Sequence, residues 1–241
     1  MADHYFPLKE RFKVAEETMA FVFDISGEPN FSFRAGQYVE VFIKNPPYVD
    51  EKKDHRDFSI ASSPGDKGIL MVATRLSRST SSGQAGSAFK RSLSEIPLGT
   101  VCKIEGPFGD FTLHENPSRK AVFIAGGIGI TPVRSIIKDA PERKIPHKLV
   151  LIYSNRNPEG AAFLKDLSDF EKMNPNFKLF LRMTEKEGHL DAEYIKNSVG
   201  DLANATFYVV GPPGMTQAMA KLFEELGVSR DDMRFEEFTG Y

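Results

Sequence analysis

The chain has 241 residues, 41% of them hydrophobic, and its 31 basic and 33 acidic side chains leave a formal charge of −2. That balance gives no general attraction to nucleic acid or to an anionic bilayer, and no apolar run reaches the ~20 residues that span a membrane. A single cysteine, Cys102, excludes an intrachain disulfide framework and a protein-held iron–sulfur cluster, which takes about four thiolates.

The opening MADHYFPLKERFKV has no apolar segment between a basic start and a cleavage site, so a cytoplasmic protein is expected. From Arg11 to about Gly106 come short alternating runs: FKVAEE, MAFVFDI, QYVEVFI, DFSIAS, ILMVATRL and TVCKIEG. Their β-branched and aromatic residues, bounded by Gly, Pro, Asp or Ser, predict antiparallel strands in a barrel or sandwich. Only GSAFKRSL (86–93) reads as helix within this half. After the polar stretch HENPSRK (114–120) the texture changes. AVFIA, KLVLIY, FKLFLR and ATFYVV predict buried parallel strands. Between them, Phe163, Leu164, Leu167 and Phe170 share one helical face, as do Met215, Met219, Leu222, Phe223 and Leu226. The expected division is a β domain over 1–114 and an α/β domain over 115–241.

Four stretches carry chemistry. In AVFIAGGIGITPVRSII (121–137) a strand runs into three glycines and then Thr131-Pro132, expected as N-cap and first turn of a helix. Such a loop sets bare amides against a phosphate or dinucleotide. The spacing is not G-x-G-x-x-G, because Pro132 takes the third position, and a tight turn without a ligand remains open. HRDFSIASSP (55–64) alternates Arg56, Phe58 and Ile60 on one face with Asp57 and Ser59 on the other. Alone, it reads equally as a strand leaving a solvated charge run. GPPGM (211–215) follows a strand and precedes an amphipathic helix, as a binding loop or an ordinary turn. MRFEEFTGY ends the chain, with aromatic residues that suit the cap of a core strand.

In this order the four resemble the ferredoxin–NADP reductase superfamily, over nearly the whole chain from FRAGQYVEVFI (33–43) to FEEF (235–238). RDFS (56–59) is similar to its Arg-x-Tyr-Ser flavin motif with Phe58 in the Tyr place. GSAF (86–89) resembles its flavin pyrophosphate segment, and GGIGITP and VGPPGM resemble its two pyridine-nucleotide loops. The resemblance implies a Greek-key antiparallel β-barrel that binds FAD, followed by a parallel-sheet α/β domain that binds NAD(P)H. It implies hydride transfer from nicotinamide to flavin N5, then electron delivery to a separate ferredoxin, flavodoxin or complex subunit.

The same resemblance assigns residues. Arg56, with the amides of Gly86, Ser87 and Ala88, would bind the FAD pyrophosphate. Ser59 would hydrogen-bond near flavin N5, Phe58 would stack on the flavin, Asp57 belongs to the motif, and the backbone of Val72 and Thr74 would line the ribityl chain. Gly127 and Thr131, with Gly211, Pro212 and Met215, would hold the nucleotide. Val210 stands where the plant-type branch has Cys. Glu236 and Phe238 match the family's Glu-x-aromatic ending, and Phe238 would cover the flavin until nicotinamide displaces it, with Tyr241 its rival. For the second nucleotide phosphate, Ser154 and Arg156 lean towards NADPH, whereas RMTE (182–185) lacks the Ser-Arg pair of NADP-specific relatives.

Other chemistries have less support. The five histidines show no i, i+4 pair or shared cluster, so no metal site is expected. No G-x-S-x-G elbow is present. Cys102 is expected in the core. Rival readings are a free-flavin reductase, since RDFS is also similar to that branch's Arg-x-Phe-Ser, an electron-transfer subunit of a larger complex, and a nucleotide-binding module without hydride transfer.

Overall fold

Alternation in the first half of the chain becomes antiparallel pairing. The computed structural model describes residues 3–49, 55–76 and 87–238. Its first sheet contains β1 (His4–Ala15), β2 (Thr18–Asp24), β3 (Tyr38–Phe42), β4 (His55–Ser59), β5 (Ile69–Arg75) and β6 (Val101–Phe108). The order is β4-β3-β6-β1-β2-β5, with every pairing antiparallel. An Ile60–Val72 bridge joins the outer strands and closes the sheet into a barrel. Alternate residues point inward: Phe6 and Leu8, Phe21 and Phe23, Val39 and Val41, Leu70 and Val72 form one core with Phe89 and Leu93 of α1 (Ala88–Glu95). Strand β1 begins well before the expected Arg11, because Pro7, Lys9 and Glu10 mask an alternation that Phe6 and Leu8 carry.

The second half follows a different rule, with apolar strands buried on both faces. Strands β7 (Lys120–Gly126), β8 (Leu149–Asn155), β9 (Phe177–Met183), β10 (Ala205–Gly211) and β11 (Met233–Glu237) lie in the order β11-β10-β7-β8-β9, all parallel. Helices α2 (Ile130–Glu142), α3 (Leu164–Met173), α4 (Thr184–Glu187), α5 (Ala192–Val199) and α6 (Pro213–Glu225) complete this half. On one face Ile195, Val199, Met219 and Phe223 bring α5 and α6 onto the sheet. On the other, α2 and α3 pack on Phe123, Leu151 and Tyr208, and the same core continues to the barrel's Ala20, Val22, Met71 and Ala73. Helix α2 is therefore shared between the two halves. The chain direction across the sheet reverses between β7 and β10, the place where open α/β sheets leave a crevice beyond their carboxyl ends.

Helix α2 also carries a polar joint. Arg134, 7% exposed, donates from Nη1 to the Ala61 carbonyl (2.6 Å) and from Nε and Nη2 to Asp166 Oδ2 (3.1 and 2.6 Å). Its guanidinium carbon lies 4.7 Å from the Phe163 ring centroid. Ser135 Oγ donates to the Ser62 carbonyl (2.6 Å). Among the described residues, no helix is long and apolar enough to cross a membrane.

Candidate functional site

A cleft of about 670 Å³ opens between the barrel and the parallel sheet. Strand β4 ends at one wall with Ser59, and β11 brings Glu236, next to its last residue, to another. Ser59 Oγ donates to Glu236 Oε1 at 2.8 Å, joining residues 177 positions apart. Burial pushes the Glu236 carboxyl up to about 7, against the Ser59 hydrogen bond, and the nearby Asp110 charge adds to the rise. Tyr38 lines the same cleft, its phenol raised first by burial and then by the charges of Asp57, Glu40 and Glu236.

The barrel side brings most of the expected flavin residues to this cleft. Arg56 lines it, donating from Nη1 to the His55 carbonyl (2.7 Å), with its guanidinium carbon 5.7 Å from the Phe89 ring centroid. Asp57 is exposed at the rim, opposite Glu40 on β3. Phe58 lines the wall but is 5% exposed and packs into the barrel core near Phe89, with ring centroids 6.2 Å apart. Ala73 and Thr74 line the cleft, whereas the Val72 side chain is fully buried inside the barrel. Ser87 caps α1 by accepting from the Lys90 N–H (3.4 Å), with Ala88 the helix's first residue; Gly86 lies outside the described residues. Lys90, which no sequence motif singled out, also lines the cleft. Burial, with Arg56 nearby, lowers its ammonium to about 8.

The three glycines at the end of β7 and in the turn after it differ in purpose. A Cβ at Gly126 would lie 2.3 Å from Met215 Sδ, and one at Gly129 would lie 2.6 Å from the Val210 carbonyl oxygen. These two are small because the end of β10, Val210 and Gly211, and the start of α6 with Pro212 and Met215 pack directly against them. Gly127 alone combines a left-handed φ of +54° with open space where a Cβ would stand. Tyr153 fixes this turn by donating its hydroxyl to the Gly127 carbonyl (3.0 Å). The expected helix start needs correction. Gly127–Gly129 form a 3₁₀ turn and α2 begins at Ile130, so Thr131 is inside the helix and donates its hydroxyl to the Ile128 carbonyl (3.0 Å). Thr131 still lines the cleft.

At the far wall, Phe238 is partly buried on the shared core, and its N–H donates to the Gly211 carbonyl (3.0 Å). Tyr241 lies outside the described residues. Arg156 does not line this cleft. Its side chain is 82% exposed, with Nη2 3.5 Å from Glu185 Oε1. Cys102 is buried, with its thiol pushed up to about 12 by burial. The histidines do meet after all: His114 and His147 cross edge to face with ring centroids 4.8 Å apart. Sequence spacing hid this, because the contact joins the segment after β6 to the loop before β8. Separately, His55 gathers with Glu40 and Asp57, all their ligand atoms within 4.8 Å; His55 Nε2 is 3.9 Å from Glu40 Oε2, as in an ion pair.

The comparisons with known proteins converge on both halves. The family model for an oxidoreductase FAD-binding domain matches residues 5–113, and that for an oxidoreductase NAD-binding domain matches residues 123–221. A subunit of the Na(+)-translocating NADH-quinone reductase of Methylococcus capsulatus is 26% identical, over 94% of this chain and 66% of that protein. A flavohemoprotein of Oceanobacillus iheyensis is 26% identical over 87% of this chain and 52% of its own length. The chain thus spans about half to two thirds of the curated relatives it matches. Among solved structures, the cytochrome b5 reductase domain of Ulva prolifera nitrate reductase shares the fold, with a TM-score of 0.79, 17% identity, and coverage of 98% of this chain and 97% of that one. The chain thus joins an oxidoreductase FAD-binding domain to an oxidoreductase NAD-binding domain, and it belongs to the FAD- and NAD-binding oxidoreductases of the ferredoxin–NADP reductase family.

Proposed function

We propose that this chain takes reducing equivalents from NADH or NADPH and passes them to a separate redox acceptor: a ferredoxin, a flavodoxin or the redox subunit of a larger complex. The observation that carries the reading is the Ser59–Glu236 hydrogen bond, a hydroxyl and a carboxyl from opposite halves meeting inside the cleft. The donor set fits FAD. Arg56 and Lys90 supply two cations for a pyrophosphate, and the N-terminus of α1 at Ser87 and Ala88 adds backbone N–H groups. The flavin supplies, when bound, the hydride acceptor and the release of electrons one at a time.

The chain's own residues then do the positioning. Ser59 holds a hydroxyl towards the cleft, and Glu236 anchors it while keeping a proton within reach at neutral pH. Ala73 and Thr74 form the floor beside them, and Asp57 marks the solvent rim. Gly127 gives the nucleotide its close approach, with Gly211, Pro212 and Met215 as the opposite wall. Phe238 closes the cleft and yields to the nicotinamide ring. At Arg156, the neighbouring Glu185 offers an acid for ribose hydroxyls beside a cation for a phosphate, which suits either nucleotide.

The relatives named as a quinone reductase subunit and a flavohemoprotein support delivery to a partner protein or domain. The visible absorption spectrum of the gel-filtered protein tests the reading. Flavin bands near one per chain, bleached anaerobically by NADH or NADPH, are the expected result. A colourless protein that reduces added flavin would make it a free-flavin reductase instead.

A further inference from the structure

A second cavity, of about 370 Å³, lies on the seam between the two halves and shares no lining residue with the flavin cleft. Two of its polar lining side chains, Asp139 and His147, are each 4% exposed, and neither Nδ1 nor Nε2 of His147 is hydrogen-bonded. The neighbouring His114 is engaged at both nitrogens, by the Tyr208 hydroxyl (2.9 Å) and the Arg119 carbonyl (3.2 Å), and leaves His147 unanswered. Burial lowers the His147 imidazole below its ordinary value, which favours the neutral ring. A neutral imidazole carries one donor and one acceptor, so a group that answers it must both accept and donate.

The rest of the cavity narrows the ligand. Arg34 from the barrel side and Lys144 from the α/β side are exposed at the lining, and neither has an ion-pair partner among the described residues. Arg143 is already met by Asp139 at 3.3 Å. Leu113, Ile136 and Ile145 make the wall between apolar. Glu115 and Asp139 are the carboxylates of the lining, and Lys144, two residues past the end of α2, offsets the negative end of that helix. A metal is disfavoured. The described His, Cys, Asp and Glu group close enough to chelate is Glu40, His55 and Asp57, elsewhere on the barrel.

We propose that this cavity binds a small hydroxylated organic acid, its carboxylate between Arg34 and Lys144, its body against Leu113 and Ile136, and its hydroxyl on His147. Because the two cations come from different halves, the ligand clamps the seam beside the shared helix α2.

The test is a titration of the FAD-loaded, ¹⁵N-labelled protein with 4-hydroxybenzoate and with 4-hydroxybutyrate, following the histidine ring nitrogens. A saturable shift of both His147 nitrogens is expected for at least one acid. Arg34→Ala and Lys144→Ala should each weaken binding about tenfold, and benzoate, lacking the hydroxyl, should bind at least about tenfold more weakly than 4-hydroxybenzoate. The flavin spectrum should not change in either variant. No saturable shift with either acid, equal affinity in the variants, or a response in the flavin bands without one at His147 would overturn the site.

Discussion

At Glu236, burial and a single hydroxyl partner pull in opposite directions, and burial prevails. The carboxyl is neutral below about pH 7 and ionised above it, so the rate of flavin reduction should carry an inflection there. Glu236→Gln is expected to remove that inflection, and Ser59→Ala to slow reduction about 100-fold with FAD retained, both read by anaerobic stopped flow. The stability sign follows from the same shift. A raised folded-state value adds stability below the usual carboxylate range near 4.5, and this is lost as pH climbs through about 7. Lys90 behaves oppositely. Its ammonium titrates near 8 because burial and Arg56 disfavour the charge. FAD affinity should therefore fall as pH rises through about 8, and Lys90→Met should cost about tenfold and flatten the dependence, measured by flavin fluorescence quenching.

Helices and strands determine which glycines are replaceable. Gly129→Ala drives a methyl into the Val210 carbonyl and should destabilise by about 1–3 kcal/mol in urea unfolding. Gly127→Ala has room and pays only about 1–2 kcal/mol for its left-handed backbone, yet should raise KM for NAD(P)H by closing the approach. Alternation and apolar runs made six barrel strands and four parallel strands legible in the sequence, because each buries residues with its own period. Strand β11 escaped. Its segment MRFEE has only Met233 buried, as an edge strand, so no periodicity marked it. Lys90 escaped too, since one lysine on a short helix acquires meaning only beside Arg56 in the folded cleft. Thr131 misled through a good local rule: Thr before Pro favours a cap, but the 3₁₀ turn of Gly127–Gly129 extends the helix towards β7 and overrides it.

Across the whole molecule, Arg134 relates the two halves. Its fork ties α2, which begins just after the glycine turn, to the Ala61 carbonyl shortly after Ser59. Arg134→Leu should lower unfolding free energy by about 2–3 kcal/mol in denaturant titration, because Asp166 and the Ala61 carbonyl lose their donor. Arg134→Lys, which retains charge without the planar fork, should recover only part of that loss.

The chain order of the site has a consequence for synthesis. Arg56 and Lys90 belong to the barrel, Gly127 to the first βα turn of the parallel sheet, and Glu236 to its last strand. During translation the earlier domain folds first. A nascent chain therefore completes the Arg56 and Lys90 wall of the cleft well before Glu236 can reach Ser59. On the proposed function, hydride transfer waits until β11 takes its place beside β10.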